Sequence, residues 1–400
     1  MVNTLFTLCL YGAVYLTAYF LFRIANNVQS LWGKKILLAL GIVILALFGC
    51  MRDFEVGTDT LDTIKMYFED SKRYHSFGAM FTRGISSSTL IFLIISKILI
   101  YLKLGARSFL FIMHILTLAP VTAVAYIRRE KTSISLTMAI YMALYYQLSF
   151  NWIRQSIATT LLLLGLVLFL NHKKIGALIA VILSELFHAS ALLGVVLFAV
   201  AWFTCKTKNK YLRRALIASA FLVTFVAMVS WQPLALWAIQ HSVLPESYMG
   251  YISVFSGGHG SSYKGWFLLG KKTYVEYFLR FVMFIFPGYI LNYQSKKVRN
   301  GNLNQELYFF RTCMLLSFLI YSASFLGLHT AYANRVTYYL DIANVIYLGL
   351  CCKPKHNNGK YSLSFTFNEL IVILMVFTYN IWLYYIMGWH ETVPFKFGVF

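Results

Sequence analysis

Long apolar runs constrain the fold of this sequence more than any other feature. A helix needs about 20 apolar residues to cross the hydrocarbon core of a bilayer. The chain is 59% hydrophobic and only 12% charged, whereas a globular domain has about 25% charged residues. The sequence therefore predicts an all-α polytopic membrane protein and excludes an ordinary soluble enzyme. Spanning runs lie near 4–22, 34–51, 108–127, 132–149, 154–170, 215–231, 274–294, 304–328, 335–352 and 366–388.

A further apolar stretch, 175–204, has 30 residues and is too long for one upright helix. Lys173 and Lys206 flank it on both sides. We therefore expect the chain to leave the membrane and return, with a break near His188 that makes two short spans. Together with the other runs this gives about twelve crossings, with both termini outside.

The basic residues orient these spans, because positively charged loops stay in the cytoplasm. A nucleic-acid-binding protein is also basic but carries its charge on a polar face. Here the basic residues lie between apolar runs, so we expect no nucleic-acid partner despite the net charge of +21. No Lys or Arg precedes Arg23, so the first span lacks the basic segment of a cleaved signal peptide. Nineteen of the 35 basic residues form clusters assigned to the cytoplasm: Arg23–Lys35, Arg128–Lys131, Lys173–Lys174, Lys206–Arg214, Lys296–Arg299 and Lys353–Lys360.

The apolar stretch 86–104 does not fit this alternation, since it has to begin and end outside. We expect a re-entrant or steeply tilted helix pair, which needs protein or a cavity around it at membrane depth. The alternative is a full span, which would place the basic clusters from Arg128 to Arg214 outside. The chain is otherwise expected to form a single membrane domain over 1–400, with outside loops at 52–85 and 232–273.

Ionisable residues at the predicted outer boundary are candidates for a functional site, because charge next to a membrane is costly and usually functional or paired. The segment from Arg52 to Thr60 directly follows the second span, and residues 53–70 hold six of the fourteen acids. Gly57 permits a positive φ, and Asp59 between two threonines is able to order a tight turn. A solvated loop with such a turn is the alternative interpretation of this segment.

Other ionisable residues recur at the same boundary. Arg154 begins the span after Trp152, and snorkelling to lipid headgroups is the alternative role. Glu185 and His188 are three residues apart, which predicts a shared helix face; a His that satisfies a backbone carbonyl at the helix break is equally compatible. A di-iron site would need a second Glu-x-x-His copy, which the sequence lacks. Two later spans contribute Arg280, and Arg335 with Tyr338 and Tyr339 one turn inward.

The predicted topology brings these residues to one membrane boundary. Scattered snorkelling would place basic residues at both faces, without an acid or a His beside them. A shared cationic cavity accounts for the observed set better. The planar guanidinium matches phosphate oxygens with two parallel hydrogen bonds, so the cavity suits an anionic, membrane-anchored substrate.

With these motifs in this order, the sequence resembles the EpsG-like branch of the Wzy polysaccharide polymerases. The resemblance rests on MRDFEVGTDT with Tyr67, FNWIRQSIATTLLLLGLVLF, LFHASAL and NRVTYYLDI, which span residues 51–341. It implies a GT-C-like glycosyltransferase of the bacterial inner membrane, with its active site facing the periplasm. The implied substrates are undecaprenyl-diphosphate-linked oligosaccharide repeats of O-antigen, capsule or exopolysaccharide. The resemblance further implies inverting transfer without nucleotide sugar, metal or other cofactor, and a regulator of chain length as a partner besides membrane lipid.

The residues fit roles in that reaction. Preorganised cations stabilise the charge that develops on a departing diphosphate, which suits Arg154 and Arg335, with Arg52 and Arg280 as further diphosphate ligands. The acceptor hydroxyl needs a base, and the sequence leaves Asp59 and His188 open for this role. The remaining candidates for substrate binding are Thr58, Glu185, Tyr338 and Tyr339.

Three other functions stay open at this point. Asp53 and Glu55 resemble the acidic pair that binds a divalent metal in other GT-C glycosyltransferases with polyprenyl-phosphate donors. A transporter of lipid-linked glycan would show inverted repeats or charges at the membrane midplane. An O-acyltransferase would need a His reachable by a cytoplasmic donor, whereas His188 is predicted on the opposite side.

Overall fold

The structure is a computed structural model and is helical over almost all of the part of the chain that it describes. Besides helices, turns and extended segments, that part contains two paired antiparallel strands, β1 His356–Asn357 and β2 Lys360–Tyr361. It also contains an isolated β-bridge between Arg52 and Phe397. The predicted all-α class is confirmed. The described residues are 2–57, 59–76, 78, 87–207, 209–241, 270–284, 287, 301–322, 330–352, 356–357, 360–361 and 366–398.

The helices of the first half follow the predicted apolar runs closely. Helix α3 continues into a π-helical turn, Ile64–Glu69, and α6 continues into a π-helical turn, Met142–Tyr146, and a 3-10 turn, Leu148–Phe150. The helices are α1 Val2–Asn27, α2 Leu31–Met51, α3 Thr60–Thr63, α4 Ser87–Tyr101, α5 Ala106–Ile127, α6 Ile134–Tyr141, α7 Ile153–Leu170, α8 Lys174–Phe187 and α9 Ala191–Lys206.

The second half differs from the prediction at two places. Helix α10 continues to Gln240, so residues 232–240, predicted as the start of an outside loop, are helical. The predicted span 335–352 is interrupted between Asp341 and Asn344. The helices are α10 Lys210–Gln240, α11 Gly270–Phe284, α12 Gly301–Ser322, α13 Thr330–Asp341, α14 Asn344–Cys351 and α15 Phe367–Asn380, which continues into a π-helical turn, Ile381–Ile386, and is followed by a 3-10 turn, Trp389–Glu391.

The length and apolar composition of several of these helices indicate a membrane-embedded protein. Among the described residues, five helices are long and apolar enough to cross a bilayer: Asn3–Asn27, Leu31–Met51, Ala106–Ile127, Ile153–Leu170 and Phe367–Ile386. The break predicted near His188 is confirmed, because α8 ends at Phe187 and His188 takes an extended conformation, with φ −158° and ψ 113°. Helices α8 and α9 have the lengths of short spans, about 21 and 24 Å. The total of about twelve crossings stays a prediction.

The chain divides into two compact units, Met1–Val195 with Ile342–Phe400, and Val196–Asp341. We call them the first and second units. In the first unit, α2 packs on α1 and α5, and α7 packs on α5 and α8. In the second unit, α12 packs on α10, α11 and α13. The expectation of a single domain over 1–400 stays a prediction.

Opposite ends of the first unit collect segments that the sequence assigns to opposite sides of the membrane. Arg23, in a cluster assigned to the cytoplasm, pairs at 3.8 Å with Glu369, at the start of the predicted span that follows the cytoplasmic cluster Lys353–Lys360. At the other end, the backbone N–H of Phe395 donates to Thr7 Oγ1 at 3.0 Å, and Asp53 N–H donates to Lys396 O at 2.7 Å. The segments near both termini therefore lie at the end where α2 finishes, in agreement with the predicted pairing of sides.

The stretch 86–104 forms one helix, α4, and not the predicted helix pair. The Phe92 ring lies 5.0 Å from the Tyr67 ring and 5.5 Å from the Phe187 ring, centroid to centroid. The buried Lys97 ammonium donates to the backbone oxygens of Ser71, at 3.4 Å, and Tyr74. Protein therefore packs against one face of α4, while Ile98 and Tyr101 are exposed. The non-spanning placement of this stretch stays a prediction.

Candidate functional site

Arg52 occupies a fully buried position directly after α2, with 0% of its surface exposed. Its Nη1 donates to Gly49 O and lies 2.6 Å from His114 Nε2, and its Nη2 donates to Thr60 Oγ1 and Phe150 O, both at 3.4 Å. The guanidinium carbon also lies 4.2 Å from the centroid of the Phe150 ring. These contacts bind α2, α5, α3 and the turn before α7 together. Arg52, which the sequence predicts to bind the diphosphate, thus directs its guanidinium at protein groups.

Gly57 shapes the loop between Arg52 and α3. Its φ is +97°, and a Cβ there would lie 2.5 Å from Asn151 Oδ1 and 2.9 Å from Thr60 Oγ1. Thr60 is fully buried, and its hydroxyl contacts Val56 O and Phe150 O, both at 3.0 Å. The positive φ expected at Gly57 is confirmed. The loop is therefore pressed against the turn that leads into α7.

Asp59 and Arg154 begin the two helices that this packing brings together. Asp59 is the half-buried N-cap residue of α3, and its carbonyl accepts from Thr63 N–H at 2.9 Å. Arg154 is half-buried in the first turn of α7, with its guanidinium carbon 5.5 Å from the ring centroid of Tyr67. Tyr67 is 1% exposed and lies in the π-helical turn that follows α3. The helix that starts at Asp59 thus supplies the ring beside Arg154.

His188 lies just after α8, and its ring contacts the segment that leads into α9. Its Nδ1 accepts from Ser190 N–H at 3.3 Å and lies 2.7 Å from Ser190 Oγ. Glu185 Oε2 accepts from Leu192 N–H at 3.3 Å, in the first turn of α9. The helical face predicted for Glu185 and His188 is not formed, because α8 ends before His188. Since Phe187 contacts Phe92 and Phe92 contacts Tyr67, ring contacts connect this break to Tyr67.

In the second unit, Arg280 on α11 lies within a buried ionic cluster. Its Nε lies 3.4 Å from Glu276 Oε1, its Nη1 lies 3.4 Å from Asp341 Oδ2, and its Nη2 donates to Asn334 Oδ1 at 3.0 Å. The Tyr321 ring lies under the guanidinium, 3.9 Å away. Ser317 Oγ donates to the other Asp341 oxygen. Two buried carboxylates thus share this guanidinium.

Arg335 is half-buried on α13, next to Asn334 and so beside the Arg280 cluster. Tyr338 and Tyr339 are each 1% exposed, so burial in protein limits their stacking on a sugar. The predicted site residues thus fall into two sets. Arg52, Asp59, Arg154, Glu185 and His188 belong to the first unit, and Arg280, Arg335, Tyr338 and Tyr339 to the second. Thr58 lies outside the described residues.

The acidic pair Asp53 and Glu55 makes local contacts. Asp53 Oδ1 accepts from Glu55 N–H at 2.9 Å, and Glu55 Oε2 lies 3.4 Å from Lys396 Nζ on the protein surface. In the described residues, no group of three or more His, Cys, Asp or Glu side chains is arranged to hold a metal ion.

A chain of buried amides and hydroxyls beside the Arg52 loop was not found by sequence reasoning. Asn380 Nδ2 donates to Ala143 O at 2.6 Å and to Gln147 Oε1 at 2.8 Å, and Gln147 Nε2 donates to Thr392 Oγ1 at 3.3 Å. Both Asn380 and Ala143 lie at or in π-helical turns, which recur at functional sites. The signal that could have revealed this chain is the presence of the polar residues Gln147 and Asn380 inside apolar runs.

The family comparison covers nearly the whole chain. The model of the EpsG family matches residues 35–397, which includes both sets of site residues and the segment after α15. No curated protein and no solved structure gives a significant match.

Proposed function

The chain belongs to the EpsG family, a membership that suggests a polysaccharide polymerase-like membrane protein, and from it we propose that the chain is a glycosyltransferase that polymerises lipid-linked oligosaccharide repeats. In the proposed reaction, a hydroxyl of one repeat attacks the anomeric carbon of a chain held on undecaprenyl diphosphate. The bond to the diphosphate breaks, the new glycosidic bond forms with inversion, and the hydroxyl proton passes to a base. Neither a nucleotide sugar nor a metal takes part.

One arrangement carries this proposal: a half-buried acid and a half-buried cation lie at the starts of α3 and α7, and the segments that carry them contact each other. Thr60, next to Asp59, contacts Phe150 O at 3.0 Å, and Tyr67 contacts Arg154 at 5.5 Å. Arg154 also lies at the N-terminus of an 18-residue helix, where the helix dipole adds positive potential. A cation there stabilises a departing diphosphate, and an acid nearby accepts a proton.

The hydrogen bonds at His188 support a choice of Asp59 over His188 as the base. An imidazole nitrogen that accepts from a backbone N–H has its lone pair engaged, and the neutral ring then carries its proton on the other nitrogen. Nδ1 of His188 accepts from Ser190 N–H, so Nε2 carries the proton. In our proposal His188 therefore donates a hydrogen bond to the substrate, and Asp59 is the base.

Arg335 stays a proposed cation for the diphosphate, as predicted from the sequence. Arg280, which the sequence placed among the diphosphate ligands, acts in our proposal through its neighbours. Its contacts to Asn334 and Asp341 hold both ends of the helical segment that carries Arg335. We assign Arg52 the same kind of role in the first unit, because its side chain is fully buried.

We place the protein in the bacterial inner membrane, with the end of the first unit that carries Arg52 and Asp59 facing the periplasm. The positive-inside distribution of Lys and Arg supports this orientation. The proposed partners are the undecaprenyl-diphosphate-linked oligosaccharide, membrane lipid and a regulator of chain length.

Arg154→Ala, Arg335→Ala and Asp59→Asn test this function in cells that depend on the protein for surface glycan. We expect each variant to keep glycan with a single repeat and to lose the ladder of longer chains. Normal ladders in all three variants would contradict the proposed site. Loss of even the single-repeat product would favour transport of a lipid-linked glycan.

A further inference from the structure

The turn after α15 is held in an uncommon backbone conformation. Gly388, His390 and Glu391 have φ values of 67°, 65° and 51°. Left-handed conformations are unfavourable for residues other than glycine and persist where surrounding contacts impose them. Two such residues in succession indicate that the contacts of this turn are strongly constrained.

Those contacts are made to the loop and the turn that carry Asp59 and Arg154. The carbonyl of His390 accepts from Asn151 Nδ2 at 2.8 Å, and the carbonyl of Glu391 accepts from Gly57 N–H at 3.2 Å. Asn151 is three residues before Arg154, and Gly57 is two residues before Asp59. The turn thus bonds to both segments of the proposed site.

The following residues secure the other end of the same loop. Asp53 N–H donates to Lys396 O at 2.7 Å, and Gly398 N–H donates to Met51 O at 3.0 Å. The Phe395 ring stacks on Phe48 of α2, 4.5 Å between centroids. The loop 52–57 is therefore bonded to this segment at its beginning and at its end.

Thr392 connects the segment to the interior of the first unit. It is 0% exposed, its Oγ1 accepts from Gln147 Nε2 at 3.3 Å, and its carbonyl accepts from Tyr11 OH at 3.3 Å. These bonds fix the position of the turn relative to α1 and α6. They thereby also fix the positions of the two carbonyls that accept from Asn151 and Gly57.

We infer that the segment Trp389–Gly398 is a positioning element of the glycosyl-transfer site, which sets the loop 52–57 and Asp59 relative to Arg154. This inference rests on the proposed function. None of its residues need touch substrate: the segment acts by holding the acid and the cation in register. A shift of about 1 Å in such a register lowers turnover by up to about a hundredfold.

Thr392→Val, which removes the bond to Gln147 at nearly constant volume, tests this inference in the purified full-length protein. With a defined lipid-linked repeat as substrate, we expect kcat to fall about tenfold or more and KM to change less than about twofold. Thr392→Ser keeps the hydroxyl and should restore kcat. The matched control is Thr117→Val, because Thr117 is equally buried but its hydroxyl bonds only within α5, to Met113 O at 2.9 Å.

A second readout measures the loop without relying on turnover. Lys65 is exposed shortly after α3. The rate of tryptic cleavage after Lys65 therefore reports how firmly the segment Trp389–Gly398 holds the loop 52–57 and α3. We expect faster cleavage in Thr392→Val and unchanged cleavage in Thr117→Val. If Thr392→Val does not accumulate, Asn151→Ala replaces it, because this change removes the bond from Asn151 Nδ2 to His390 O.

Wild-type kcat together with wild-type cleavage in the tested variant would overturn the inference. So would a loss of kcat of the same size in Thr117→Val, because the effect would then be one of general stability. If the wild-type protein polymerises no repeat, the proposed function fails, while the cleavage rates still show whether the segment orders the loop.

Discussion

The guanidinium carbon of Arg154 lies 5.5 Å from the ring centroid of Tyr67. Tyr67 is buried against Phe92, 5.0 Å away between ring centroids, so its ring is a fixed support for the cation. The contact joins two motifs that are 87 residues apart in the sequence. It gives Arg154 a defined direction, which snorkelling to lipid would not require.

Changes at this contact should affect turnover in a graded way. Arg154→Ala should lower kcat about a hundredfold or more, because one charged group that stabilises the leaving diphosphate is lost. Tyr67→Leu should lower kcat by less, since it removes only the support of about 0.5–2 kcal/mol that an aromatic ring gives a cation. Tyr67→Phe keeps the ring and should stay near wild type in steady-state assays. Equal activity of Tyr67→Leu and wild type would show that the contact has no role.

Substitution of His188 should distinguish a hydrogen-bond donor from a base. Glutamine places an N–H donor near the position of Nε2 but accepts no proton. We therefore expect His188→Gln to retain kcat within about tenfold of wild type, while His188→Phe loses most of it. Asp59→Asn should be inactive in the same assay. The assignment would be wrong if Asp59→Asn were active and His188→Gln inactive.

Gly57 should tolerate no side chain. Gly57→Ala places a Cβ 2.5 Å from Asn151 Oδ1 on a backbone with φ +97°, which should lower the free energy of unfolding by about 1–3 kcal/mol. Gly12→Ala is the matched control, because a Cβ there meets nothing within 4 Å and alanine is favoured in a helix by about 0.5–1 kcal/mol. Thermal unfolding in detergent should show a lower midpoint for Gly57→Ala only. A midpoint at or above wild type would contradict the described loop.

Arg280 should be needed for stability, because two buried carboxylates share its positive charge. Arg280→Gln leaves Glu276 and Asp341 buried without a counter-charge, which should cost about 3–5 kcal/mol. Adding Glu276→Gln removes one of the two charges and should recover part of the loss. Thermal unfolding of the single and double variants measures this coupling. Additive losses in the double variant would show that Arg280 and Glu276 do not interact.

The helices could be predicted from hydropathy to a large extent, because apolar runs and their flanking Lys and Arg residues are local signals. The break at His188 followed from length and flanking charge: 30 apolar residues exceed one span, and Lys173 and Lys206 put both ends on the same side. The interruption between Asp341 and Asn344 was missed, because Ile342 and Ala343 are apolar and the two flanking polar residues do not end the apolar run. The end of α10 at Gln240 was also missed, because a helix is able to continue beyond its apolar run.

The candidate site was predicted in its residues more than in its contacts. Arg154 and Asp59 stand out as ionisable residues at a predicted boundary, and the structure places both half-buried at helix starts. Arg52 has the same signal, but its burial depends on His114 and Phe150, which are distant in sequence. The bonds from His390 and Glu391 are made by backbone carbonyls, which every residue has, so no sequence pattern marks them.

Polymerisation of a defined undecaprenyl-diphosphate-linked repeat by the purified protein, with a metal chelator present, tests the central claim most directly. We predict that the wild-type protein forms a ladder of longer lipid-linked chains and releases undecaprenyl diphosphate for each bond made. Arg154→Ala and Asp59→Asn should form none. An unextended repeat with correctly folded wild-type protein, or a ladder that appears only when a divalent metal is restored, would contradict the account.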